Sequence, residues 1–187
     1  MRRIRWEVSP AALLLAALAY FFDASGLVSA VVPAALVHEL GHLLALRLCR
    51  RRLVRIRIGL GGAELDYAPR LEGVQAILCL AAGPVAGGLF ALTACTMGGT
   101  FWLVSGAASF VLTVFNLLPI LPLDGGRMLA VLVPAGAARL ASLLAAAALL
   151  AGGIWLAAAY HSAALLLAGL WLTLCNASCF FRGSGIE

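Results

Sequence analysis

Residues 38–42 read His-Glu-Leu-Gly-His. On a helix, side chains four apart stand one above the other, so His38 and His42 can reach a single ion. Zinc takes His nitrogen at about 2.0–2.1 Å and in catalytic sites keeps one position open to water. Glu39, beside the first imidazole, is placed to accept the proton of that water as general base. The blander reading is two core histidines hydrogen-bonded to neighbouring helices. A second polar stretch runs from Asn116 through Pro119 and Pro122 to Asp124-Gly125-Gly126. Its prolines and glycines stop a helix and turn backbone back into the protein.

The elements that must position these groups are set by composition. Of 187 residues, 64% are hydrophobic and 11% charged, with a mean hydropathy of +1.06. A soluble domain is about 45–50% apolar and about 25% charged, so a water-soluble globule, a disordered chain and a disulfide scaffold are excluded, and a polytopic membrane protein remains. Six apolar stretches are long enough to propose as spans: 6–22, 27–49, 73–97, 100–118, 140–160 and 162–181. They leave no room for a second domain, so residues 1–187 read as one. The first begins behind Arg2, Arg3 and Arg5, and with no clear cleavage site after it reads as a retained anchor.

All thirteen basic residues are Arg, and the net charge is +5. With both termini in the cytoplasm, six spans put every Arg inside and none in the three outer loops, as the positive-inside bias requires. That asymmetry explains the basic balance without nucleic acid. The expected localisation is a cell membrane, crossed several times. The five cysteines lie in or at the ends of apolar stretches and read as small hydrophobes.

In this setting three ionisable groups within five residues are costly and functional by default. A third ligand is needed. His161 sits at the outer end of the fifth span, whereas His42 is five residues from cytoplasmic Arg47, so their depths do not match. Asp124, just past the fourth span in backbone tolerable only where buried or lining a cavity, reaches the depth of His42. A His38, His42, Asp124 zinc site open to the cytoplasmic side follows. Between the second and third spans, Leu53 to Tyr67 alternates Val54, Ile56 and Ile58 with Arg55 and Arg57, then meets Gly59, Gly61 and Gly62. This predicts a membrane-proximal β-hairpin. Its edge, near Ile56 and Ile58, is suited to strand addition by an unwound substrate, the glycines letting the backbones approach.

With H-E-x-x-H and N-x-x-P-x-x-P-L-D-G-G both present, the chain resembles the site-2 protease family of intramembrane zinc metalloproteases (peptidase family M50) over essentially its whole length. Its pattern is closest to the branch of stage IV sporulation protein FB, with six spans and a hairpin after the second. The resemblance implies one zinc on His38, His42 and Asp124, Glu39 as base, Asn116 holding substrate near the metal, and a membrane-anchored protein as substrate. It implies an all-α membrane fold with that small hairpin, and a role in sporulation or other regulated intramembrane proteolysis. Ala82-Gly83-Pro84 opens the family's G-P-x-x-N motif, but Gly87 stands at its Asn. Neither a nucleotide-sensing CBS domain nor a PDZ domain is expected. The rival classes are a metal transporter, disfavoured by spans nearly bare of polar groups, and a silent metal-binding protein or pseudoprotease, which has no use for Glu39. The oligomeric state is not fixed by any of these features.

Overall fold

The structure is a computed structural model and describes residues 5–23, 26–59, 62–69 and 71–182. Arg2, Arg3, Leu60, Gly61 and Arg70 lie outside them. The fold is mostly helical, with one small sheet. In order the elements are β1 (Arg5–Val8), α1 (Pro10–Phe21), α2 (Leu27–Leu48), β2 (Arg52–Gly59), β3 (Gly62–Ala68), α3 (Gly73–Thr96), α4 (Thr100–Asn116), α5 (Asp124–Leu132), α6 (Ala135–Tyr160) and α7 (Ala164–Arg182). Residue contacts group into two compact units, Met1–Val114 and Phe115–Glu187.

Among the described residues, α2, α3 and α6 are long and apolar enough to cross a membrane. Their leucines, such as Leu36, Leu44, Leu78, Leu92 and Leu144, stand exposed, as side chains facing lipid do. α1, α4 and the apolar part of α7 are shorter. The stretch from Trp6 does not run on as one helix: Arg5–Val8 is a strand, and helix begins only at Pro10, whose ring suits a first helical turn. α1 is therefore about 18 Å long against a hydrocarbon core of about 30 Å.

In the first unit the expected hairpin is present, with β2 and β3 antiparallel between α2 and α3. β1 adds a strand that the sequence reading missed, parallel to β2, with Trp6 opposite Ile56 and Val8 opposite Ile58. A register shift between Leu53 and Arg55 leaves Val54 as a bulge. The extra residue rephases the alternation, so Leu53, Ile56 and Ile58 share one face with Tyr67, while Arg55 and Arg57 share the other with Glu7 and Asp66. On the polar face Arg55 pairs with Asp66 at 2.6 Å and with Glu7 at 3.4 Å. The hydrogen bond that Arg55 donates to Asp66 is the main reason its guanidinium holds its proton more tightly than usual. On the apolar face Leu53 and Tyr67 pack on Leu46, Leu71, Ala76 and Cys79, which ties the sheet to α2 and α3.

In the second unit, α6 and α7 pack closely through glycine. A Cβ on Gly153 would fall 2.7 Å from the Leu166 Cα, and one on Gly169 would fall 3.2 Å from the Leu150 Cα. Small residues let membrane helices approach this way, where dispersion replaces the hydrophobic drive. Ile120, Ala146 and Leu172 form the core beside them.

Candidate metal centre

α2 carries His38 and His42 one turn apart. His38 is 4% exposed, and His42 and Glu39 are half-buried. The two rings meet edge to face with centroids 4.9 Å apart, and their Nε2 atoms are 3.2 Å apart. His42 Nδ1 lies 2.8 Å from the Cys79 carbonyl oxygen on α3. A carbonyl only accepts, so Nδ1 carries the proton and Nε2 of the neutral ring keeps its lone pair. That lone pair faces His38. Two nitrogens at about 2.05 Å from one ion, at a tetrahedral angle, stand about 3.3 Å apart. The observed spacing fits that donor set, and one proton is the other thing that can sit between such nitrogens.

The ring of His42 occupies its place because α3 has no side chain there. A Cβ on Gly83 would lie 2.6 Å from His42 Cε1, 2.7 Å from Cδ2 and closer still to Nε2. The helices touch at Gly41, where a Cβ would collide with the Ala82 carbonyl and stand 2.8 Å from the Ala86 Cβ. Pro84, inside α3, lacks the N–H that would bond the Leu80 carbonyl, one residue past Cys79. Gly87 is filled from α4. A Cβ there would meet Thr113 Oγ1 at 2.6 Å, with His38 Nδ1 at 3.8 Å. Ser109, fully buried, donates its hydroxyl to the Gly87 carbonyl at 2.8 Å.

Asp124 belongs to the second unit. It is the first residue of α5, 8% exposed, where the free N–H groups of a helix start favour a carboxylate. The stretch between the expected fourth and fifth spans, residues 119–139, thus contains a helix. The turn before it is held at Ser142 on α6, whose Oγ accepts the Leu121 N–H at 2.8 Å and the Asn176 Nδ2–H from α7 at 2.8 Å. Ser142 and Asn176 are both 1% exposed. The glycines after Asp124 are required by that turn. A Cβ on Gly125 would fall 2.6 Å from the Leu118 oxygen, and one on Gly126 would fall 2.6 Å from the Leu121 nitrogen. Asn116 ends α4, half-buried, eight positions ahead of Asp124.

The structure thus brings His38 and His42 together, with Glu39 beside them, and buries Asp124 at a helix start. Ile56 and Ile58 sit on the central strand, with β1 on one side and β3 on the other. Among the described residues the outer edges of the sheet are therefore those of β1 and β3, and β2 itself offers none. Sequence reasoning missed Gly83, Cys79, Ser142 and Asn176 as positioning residues. An intramembrane Ser and Asn were the signal available for the last two.

Residues 99–160, which include Asn116 and Asp124, match the profile of Peptidase family M50. No curated protein matches the sequence. Among solved structures, the fold is similar to that of the Site-2 Protease from Methanocaldococcus jannaschii. The TM-score is 0.65 at 18% identity, over 95% of this chain and 91% of that one.

Proposed function

We propose that this chain, whose M50 match and site-2 protease fold support a multi-pass intramembrane metalloprotease, is a zinc endopeptidase. Its substrate is a membrane-anchored protein, cut within or beside a transmembrane segment near the cytoplasmic leaflet. His38, His42 and Asp124 hold one zinc ion, and Glu39 is the general base. The observation that carries this reading is the pair of Nε2 atoms 3.2 Å apart, with the His42 tautomer set by the Cys79 carbonyl.

Zinc in such a site supplies Lewis acidity toward a carbonyl and lowers the pKa of water. Glu39 takes the proton of the attacking water and delivers it to the leaving amine nitrogen. Asn116 holds substrate backbone as its helix unwinds, and an outer edge of the sheet receives the extended stretch by strand addition. Six crossings (α1, α2, α3, α4, α6 and α7) with both termini cytoplasmic keep the Arg residues on one side. The short α1 crosses where the bilayer thins.

The test is Glu39→Gln in protein reconstituted with a membrane-anchored substrate. Cleavage is lost and zinc stays bound. Cleavage at the wild-type rate removes Glu39 from the mechanism, and a wild type that binds zinc but cuts nothing favours a silent metal-binding protein.

A further inference from the structure

Cys49 caps the C-terminus of α2, and Cys79 lies one helix away on α3. Their Sγ atoms are 3.7 Å apart; Cys49 is half-buried and Cys79 is buried. The Cys79 carbonyl is the acceptor for His42 Nδ1. One residue therefore joins a thiol pair to the imidazole whose Nε2 faces the candidate metal position.

We propose that Cys49 and Cys79 are a reversible modification site, closing to a disulfide that disturbs the His42 side of the metal centre. The oxidant is a small-molecule disulfide of the glutathione class. The Cys49 thiolate, the more exposed of the two, attacks one of its sulfurs, breaks its S–S bond and releases one glutathione thiolate. The Cys79 sulfur then attacks Cys49 Sγ in the mixed disulfide and releases the second. The protein loses two electrons and two thiol protons, and the two released glutathiones gain them. On the orientation proposed above, the pair lies at the cytoplasmic end of α2, where disulfides are transient and act in redox sensing.

Closure brings the sulfurs from 3.7 Å to about 2.05 Å. The helices have no room to slide together, because their backbones already touch at Gly41 and Ala82. The movement must be local to residues 49 and 79, and the peptide carrying the Cys79 carbonyl shares it. His42 loses the partner that sets its tautomer and ring angle. Disturbing such a partner of a metal ligand costs about 10–100-fold in affinity or activity. The cross-link does not depend on the reading proposed above; its effects on zinc affinity and on cleavage do.

The full chain in detergent is reduced, then exposed to oxidised glutathione, and its free thiols are counted by maleimide–polyethylene glycol shift with peptide mapping. The expected result is a Cys49–Cys79 peptide lighter by two hydrogens. Zinc affinity falls about tenfold, cleavage falls with it, and both return with dithiothreitol. Cys49→Ser, or Cys49→Ala, forms no such link and keeps its zinc affinity in oxidant. The proposal is overturned if no 49–79 link forms under oxidant that modifies exposed Cys95. It is overturned equally if the link forms and zinc affinity is unchanged. The link is read by mass and the affinity by metal titration, so failure here is distinct from failure to find a protease.

Discussion

Gly83→Ala puts one methyl group where the His42 ring now lies. Its carbon would stand 2.6 and 2.7 Å from two ring carbons and nearer still to Nε2. Carbon atoms rest about 3.5–4.0 Å apart, so the ring must move by about 1 Å. Swinging the imidazole breaks the 2.8 Å bond to the Cys79 carbonyl. Parting the helices separates a contact already closed at Gly41 and Ala82. Overfilling of this kind costs about 1–3 kcal/mol in stability. A designed zinc site tolerates about 0.2 Å of error, so the larger effect falls on the metal: affinity drops at least about 10–100-fold. Gly88→Ala is the control on the same helix, since a Cβ there meets nothing within 4 Å. Both variants, purified in detergent, are loaded with zinc and titrated with a chelator. Gly88→Ala titrates like wild type, and Gly83→Ala gives up its metal at far lower chelator. Full zinc retention in Gly83→Ala would refute the claim that His42 is held by the space above Gly83.

Gly87→Asn alone collides with Thr113 Oγ1 and lowers thermal stability by about 1–3 kcal/mol; adding Thr113→Ala recovers most of the loss in the same melting assay. Ser142→Ala strips the Leu121 N–H and the buried Asn176 amide of their acceptor. It costs about 2–4 kcal/mol and weakens zinc binding through Asp124, read by melting and metal content together. Glu7→Gln, on the exposed charged face of the sheet, leaves melting temperature and zinc content unchanged, since surface ion pairs contribute little.

Local signals carried the parts of this fold that sequence revealed. The spacing of His38 and His42 is a one-turn repeat, the hairpin alternates at period two, and α2, α3 and α6 are long apolar runs. What stayed hidden depends on distant partners. Arg5–Val8 is a strand only because β2 lies beside it, and its apolar neighbours read equally well as the start of a span. Val54 reads as one more alternating residue until the pairing shows it bulged out. α5 has nine residues and two glycines, so as a local pattern it resembles a loop; it forms where Gly125 and Gly126 let the preceding turn pack on it. Gly83 and Ser142 act by what they lack or accept, and neither leaves a periodic trace.

X-ray absorption at the zinc edge on the purified, zinc-loaded chain measures the ligand set itself. One zinc per chain is expected, with two imidazole nitrogens and carboxylate oxygen at about 2.0–2.2 Å. In Asp124→Ala the two nitrogens remain and the oxygen scattering falls. A zinc shell holding sulfur at about 2.3 Å, or one that Asp124→Ala leaves unchanged, would contradict it.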